Sequence, residues 1–202
     1  MNIAKARTIN NIVAFAALAL AIFLFAITDT IYPSGHPVHE LIEWAGILLI
    51  VVCILGRTWS SLYVAGRKGR ELTTSGPYSI CRNPLYFFSI IGAAGMGTQS
   101  GSVVIGLICG ALAAIVFYLV SAQEEQSLTR LHGKKYRDYA AAIPRFIPRL
   151  ELWRDDKTLT IRPPRVLTTF IDALVFLLSV PVAEGFEHLR EIGTIPTLLI
   201  LP

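Results

Sequence analysis

Two polar, aromatic-rich segments in an otherwise apolar chain hold most of the side chains able to do chemistry. The first reads Gly76-Pro77-Tyr78-Ser79-Ile80-Cys81-Arg82-Asn83-Pro84-Leu85-Tyr86. The second begins Glu124-Glu125-Gln126-Ser127-Leu128 and continues through Gly133-Lys134-Lys135-Tyr136-Arg137-Asp138-Tyr139 to Pro144-Arg145-Phe146-Ile147-Pro148. Arg82 offers a planar fork of donors that fits a carboxylate. Pro84 suits the first turn of a helix, where free backbone N–H groups also favour an anion. Gly76-Pro77 reads as a stiff turn in which the missing side chain lets backbone approach a ligand. Glu124 and Glu125 project about 100° apart on a helix. One can face a pocket, where it suits a cationic or hydroxyl-rich ligand, while the other faces water or a basic residue. Tyr136 and Tyr139 share a helical face, fit for stacking on a flat ring, covering a pocket or resting at a lipid interface. Each proline of Pro144-Arg145-Phe146-Ile147-Pro148 restricts its predecessor, so Arg145 is held by rigid neighbours, as a ligand contact or a partner of Glu124 or Glu125. The competing reading makes Arg82 an interface marker, the tyrosines an aromatic belt and the glutamates a solvated helix end.

The elements that must position these groups are apolar helices. Of 202 residues, 53% are hydrophobic and 16% charged, against about 25% charged in soluble domains. This predicts an all-α, polytopic integral membrane protein, a single domain over 1–202 with about five transmembrane helices. Residues 8–28 carry no charge, enough for a span across a ~30 Å core at ~1.5 Å per residue and too long for a removed signal peptide. A second span runs from about Leu41 to Gly56. The 41 uncharged residues between Arg82 and Glu124 allow two passes, about Leu85–Gly97 and Ser102–Gln123, broken at Gly95–Ser102. The second pass is expected to continue to about His132 and stop at Gly133, with a short helix Lys134–Ala142 beyond. Val166–Ala183 reads as one crossing, with Ile192–Pro202 as an in-plane or re-entrant tail. A helical hairpin dipping into the membrane is the alternative.

Charge sets the orientation. Seventeen of the 18 Lys and Arg residues fall at Lys5 and Arg7, between Arg57 and Arg82, or between Arg130 and Arg165. A cytoplasmic N-terminus puts all three segments inside, as the positive-inside rule expects. It also accounts for the net charge of +4 without nucleic acid. Both polar segments then lie on the cytoplasmic side, joined by the hairpin. Cys53 and Cys109 read as small hydrophobes, and Arg82 beside Cys81 is a cation able to lower a thiol pKa. His36 and His39 sit in a short loop with no third ligand nearby in sequence, so no metal is expected. Gly92, Gly95, Gly106 and Gly110 suit close helix packing within or between chains.

The ordered set Gly-Pro-Tyr-x-x-x-Arg-Asn-Pro-x-Tyr, Glu-Glu-x-x-Leu, Gly-x-x-Tyr-x-x-Tyr and Pro-Arg-x-x-Pro, covering Leu72–Pro148, resembles the isoprenylcysteine carboxyl methyltransferase family. Phospholipid methyltransferases share the scheme. The resemblance implies an S-adenosyl-L-methionine-dependent methyltransferase with a cytosolic-side cofactor pocket and a motif-bearing core at 72–148. It implies cofactor contacts for Gly76, Pro77, Tyr78, Asn83, Pro84, Glu124, Tyr136 and Tyr139, with Arg82, Glu125 and Arg145 orienting substrate or bracing the pocket. Many relatives carry His where Asn83 stands. Asn does not titrate, although its amide donates and accepts hydrogen bonds.

A carboxylate nucleophile needs no general base, whereas a protonated amine must first lose a proton. The favoured reaction is carboxyl O-methylation of an isoprenylcysteine-like or other lipidic acid entering between helices. N-methylation of a phospholipid or other lipophilic amine is the alternative. A sterol-type membrane reductase would want a nicotinamide cofactor, yet no G-x-G-x-x-G fingerprint is present. A non-enzymatic scaffold would tolerate changes at Glu124 and Tyr78.

Overall fold

The computed structural model describes residues 3–64 and 72–201, without the side chains of residues 3–11, 18 and 191. The side chains of Lys5, Arg7, Arg67, Lys68 and Arg70, all counted in the basic segments, lie outside the described residues. Among the described residues eight α-helices run in order: α1 (Ile3–Ile27), α2 (Pro37–Val64), α3 (Pro77–Ile80), α4 (Pro84–Thr98), α5 (Val103–His132), α6 (Lys134–Ala142), α7 (Pro163–Leu174) and α8 (Ser179–Glu191). Three stretches, Pro37–Val64, Val103–His132 and Pro163–Arg190, are long and apolar enough to cross a membrane, and Ile12–Ile27 and Pro84–Thr98 are shorter apolar helices. The protein is a polytopic membrane protein. At ~1.5 Å per residue α4 reaches only ~22 Å, which is why it falls short of a full span by itself.

The chain divides into two compact units. The first comprises residues 1–52, 90–116 and 174–202, and the second residues 53–89 and 117–173.

In the first unit, glycines bring helices together. Gly46 of α2 meets Gly95, Thr98 and Gln99, and Gly106 of α5 meets Ala94 and Thr98 of α4. A side chain at any of these glycines would collide with the facing helix, so the small residues serve packing within the chain. Gly95 and Gly97 lie inside α4, so the expected break at Gly95–Ser102 shrinks to residues 99–102, with Gly101 at φ +70°. Apolar surroundings and tight packing outweigh the low helix propensity of glycine.

The C-terminal segment of this unit departs from expectation. Residues Leu199–Leu201 (β2) pair in parallel with Thr28–Thr30 (β1), directly after α1, in the register Thr28↔Leu199. A tail this short and interrupted by Pro196 cannot make a spanning helix, and pairing satisfies its backbone instead. Between α7 and α8 a 3₁₀ turn, Val175–Leu178, precedes Pro181. The proline has no N–H for the Leu177 carbonyl, and tightening of the helix there is the local response. Arg190, the one basic residue outside the three clusters, donates to the carbonyls of Phe25 and Thr28. It caps the C-terminal end of α1, where a cation opposes the helix dipole.

The second unit is organised by α3, the N-terminal part of α4, the C-terminal part of α5, and α6. Pro84 opens α4. Gly133 ends α5 at φ +56°, and α6 spans the predicted Lys134–Ala142. Trp59 stacks on Trp153 with ring centroids 5.7 Å apart.

Candidate active site

The site is built where the polar segment before α4 meets the end of α5, both in the second unit. Arg82 Nη1 lies 3.0 Å from Glu125 Oε1, joining residues 43 positions apart. Tyr86, in the first turn of α4, donates to Glu124 Oε2 at 2.9 Å. The hairpin thus makes neighbours of the two motifs. Adjacent glutamates on α5 take different partners, as their angular separation requires.

Glu125 is held from two sides. Arg145 donates to it through Nε at 3.0 Å and Nη2 at 2.6 Å, a bidentate fork of the strong charge-assisted kind. Side-chain exposure is 14% for Arg82 and 13% for Glu125. Two guanidiniums against one carboxylate leave this triad one positive charge in excess. Hydrogen bonding to Glu125 raises the Arg145 pKa further, so that charge is permanent. Arg145 also lies over the Tyr118 ring, 4.9 Å from its centroid. Tyr118 escaped sequence reasoning, although it precedes Glu125 by two helical turns and shares its face. Arg82 Nε is buried with no hydrogen-bond partner among the described residues, so a donor within the triad remains to be used.

The Pro144–Arg149 segment runs alongside the first motif. Arg82 N–H donates to Pro144 O at 2.9 Å, and Arg149 N–H to Ile80 O at 3.0 Å. The Asn83 side-chain amide donates to Arg145 O at 3.1 Å. Asn83 therefore fixes the backbone that carries Arg145, a task for any N–H donor of suitable reach. Cys81 donates its thiol to Phe146 O at 3.0 Å. Burial pushes that thiol up to about 11, outweighing Arg82, so the cation beside it does not create a reactive thiolate.

Tyr136 and Tyr139 face inward, with ring centroids 6.0 Å apart, and Tyr136 is buried. Tyr139 donates its hydroxyl to Tyr78 O at 2.8 Å. Burial raises the pKa of Tyr78 and Tyr139, and that of Tyr136 to about 12, so all three are neutral phenols at physiological pH. Gly76 sits at φ +57°, and a Cβ there would fall 2.2 Å from the Tyr63 ring. The space a side chain would take there is filled by the chain's own Tyr63. Pro77 is buried directly beyond it as the first residue of α3. Tyr63 in turn donates to Asp155 at 3.0 Å, an anchor the motifs gave no sign of.

Two of the cavities among the described residues of this unit are lined by these side chains. One of about 620 Å³ is lined by Glu125, Tyr136 and Arg145 together with Ala122, Gln126, Thr129, Arg130, Arg137 and Ala140. The other, of about 410 Å³, is lined by Thr74, Ser75, Tyr139, Ala142, Ile143, Arg154, Asp155 and Asp156. Both volumes fall within the range of small-molecule sites. The structure thus brings Arg82, Glu125 and Arg145 into one cluster and Tyr86 with Glu124 into a second contact. Tyr78, Tyr136 and Tyr139 form a third group beside them.

Comparison with known proteins extends this geometry. The sequence profile described as phospholipid methyltransferase matches residues 42–135. The nickel-cobalt-cadmium resistance protein NccN of Alcaligenes xylosoxydans xylosoxydans is 34% identical over 157 residues, covering 78% of this chain and 73% of that protein. The chain belongs to the phospholipid methyltransferase family. A second family relative, the cobalt-zinc-cadmium resistance protein CzcN of Cupriavidus metallidurans, is 31% identical over 83% of this chain and 77% of its own length. The protein-S-isoprenylcysteine O-methyltransferase B of Arabidopsis thaliana is 26% identical over 65% of this chain and 73% of that enzyme. No solved structure matches.

Proposed function

We propose that this family member is a membrane methyltransferase that uses S-adenosyl-L-methionine and methylates the carboxylate of a lipidic acid. The observation that carries the reading is the Arg82–Glu125–Arg145 triad, with its excess positive charge and the buried Arg82 Nε, which has no partner among the described residues. That donor fits a carboxylate, which both the cofactor and the acceptor possess. Glu124, oriented by Tyr86, suits the cofactor's ammonium, and Tyr136 and Tyr139 supply aromatic surface beside it. Asn83 and Glu125 act as positioning residues, because each holds the backbone or side chain of an arginine.

When bound, the cofactor supplies a methyl group already activated by its sulfonium. The chain's own residues then have to align acceptor and donor and exclude water. Both carboxylate oxygens of Glu125 are already engaged by guanidiniums, and Asn83 does not titrate. A site so furnished favours a nucleophile that arrives ionised, a carboxylate over an ammonium. The family relation to an isoprenylcysteine O-methyltransferase supports the same choice. The basic segments support a cytoplasmic N-terminus and site, and the three long and two shorter apolar helices support five crossings. Relatives named for resistance to nickel, cobalt, zinc and cadmium support a role for the modification in tolerance of divalent metals.

The test is calorimetric binding of S-adenosylmethionine and S-adenosylhomocysteine to detergent-purified protein, wild type beside Glu124→Gln. The reading requires saturable binding that weakens about tenfold or more in the variant, the value of a hydrogen bond to a charged group. Absence of binding in folded protein overturns it.

A further inference from the structure

A second charged cluster lies in the first unit, among residues the methyl-transfer reading does not use. His39 stands in the first turn of α2, Glu43 one turn later on the same face, and Glu187 on α8. His39 Nε2 is 3.3 Å from Glu43 Oε1 and 3.2 Å from Glu187 Oε1, and the three donor atoms lie within 4.8 Å of one another. No third ligand was legible near the histidines because Glu187 arrives from 148 positions away. His36, the other histidine of the loop, accepts from Val38 N–H and stacks on Tyr32, outside the cluster.

The imidazole is fixed in a way that decides its chemistry. Its side chain is 3% exposed. Nδ1 lies 2.9 Å from the Tyr32 carbonyl oxygen, which only accepts, so Nδ1 carries a proton and donates. In the neutral ring, Nε2 is then a lone pair aimed at two carboxylate oxygens. It is buried and makes no hydrogen bond among the described residues. A Cβ on Gly101 would fall 2.2 Å from His39 Cε1, so the ring is seated against bare backbone and cannot turn away. Ser34 Oγ donates to Glu187 Oε2 at 3.1 Å, leaving Oε1 directed at His39.

Three acceptors converging on one point need a cation among them. A backbone-anchored imidazole with an oriented carboxylate is the outer-shell arrangement of metal-binding histidines. The two N···O separations are near the ~3.3 Å edge of a tetrahedron with metal–ligand bonds of ~2.0–2.1 Å. An imidazole in the set disfavours Mg²⁺ and Ca²⁺, and the lack of thiolate disfavours soft ions.

We propose that His39, Glu43 and Glu187 bind one divalent transition-metal ion of borderline softness, such as Zn²⁺ or Co²⁺, tying α8 to the start of α2. The rest of its coordination is open to water or an exchangeable ligand. The assignment is independent of the methyl-transfer reading and is tested without any activity.

Tag-free, full-length protein in detergent is titrated with ZnCl₂ by calorimetry and with CoCl₂ by visible absorption, and its thermal unfolding is followed with and without Zn²⁺. The proposal requires one equivalent of Zn²⁺, a visible Co²⁺ spectrum of low coordination number, and a Tm raised by the metal. Glu43→Gln and Glu187→Gln, which keep size and shape, must each weaken binding on the order of 100-fold or more, at or above the loss of an outer-shell partner. Ser34→Ala must weaken it about tenfold. If Zn²⁺ binds a folded Glu187→Gln protein as tightly as wild type, or leaves the wild-type Tm unchanged, the cluster is a protonated-histidine ion pair and the proposal fails.

Discussion

The arginine cluster around Glu125 and the carboxylate cluster around His39 are both triads, and they solve opposite problems. In the first, two cations that cannot lose their charge share one carboxylate, and a donor is left over. In the second, two carboxylates converge on one imidazole, and acceptors are left over. The first is suited to hold an anion and the second a cation. Each is also made from distant segments, but by different means. The hairpin of α4 and α5 builds the first from two dense motifs, whereas the second draws single residues from α2 and α8.

That difference governs what the sequence reveals. The arginine cluster was legible because its members sit in compact motifs at the ends of one long uncharged interval. The proline spacing marked Arg145 as constrained, and the stop at Gly133 placed α6. The angular separation of Glu124 and Glu125 foretold their different partners. The histidine cluster was not legible, because nothing near Glu187 marks it and the histidines alone fall short of a site. Tyr63, whose ring occupies the space above Gly76, was equally hidden, since a glycine's openness does not say what fills it. The strand pair of residues 28–30 and 199–201 depends on a tertiary meeting that no local pattern encodes.

The largest expected effect contrasts the two triads directly. Glu125→Gln strands two partly buried guanidiniums and is expected to cost about 3–5 kcal/mol. Glu187→Gln, in metal-free protein, relieves one of two like charges and is expected to cost less than about 1 kcal/mol. Thermal unfolding in detergent reads both, and equal losses would erase the distinction between the clusters.

Next come two glycines with nearly the same backbone, Gly76 at φ +57° and Gly133 at φ +56°. With ψ at −133° and −123°, both lie outside the left-handed helical region in backbone that side-chain-bearing residues scarcely enter, and both alanine variants incur about 1–3 kcal/mol of strain. Gly76→Ala additionally meets the Tyr63 ring, whereas among the described residues beyond its chain neighbours nothing lies within 4 Å of a Cβ at Gly133. An extra loss of about 1–3 kcal/mol from overpacking is therefore expected at Gly76 alone. Similar Tm values for the two would show that Tyr63 moves aside freely.

Arg82→Lys keeps the charge and removes the fork. Affinity for S-adenosylmethionine or for a lipidic carboxylate is expected to fall about tenfold to a hundredfold, with a smaller change in Tm. Unchanged affinity for both would make Arg82 purely a partner of Glu125.

The smallest effect is alkaline. Tyr136 ionises near 10 in the unfolded chain and at about 12 in the folded one, with Tyr78 and Tyr139 shifted the same way. The stability they contribute is fully present below pH 10 and is lost as the pH rises through the folded values. Chemical denaturation from pH 9 to 12 should show a falling midpoint, shallower in Tyr136→Phe.

The most direct test of the central claim follows the methyl group. Membranes containing the protein are incubated with methyl-labelled S-adenosylmethionine, and the lipid fraction is treated with alkali. The account predicts label in the lipid fraction that alkali releases as volatile methanol, the mark of a carboxyl ester, and predicts its loss in Arg82→Lys. Label that survives alkali would contradict carboxyl methylation in favour of an amine acceptor, and no transfer by folded protein with a broad range of lipids would contradict the methyltransferase itself.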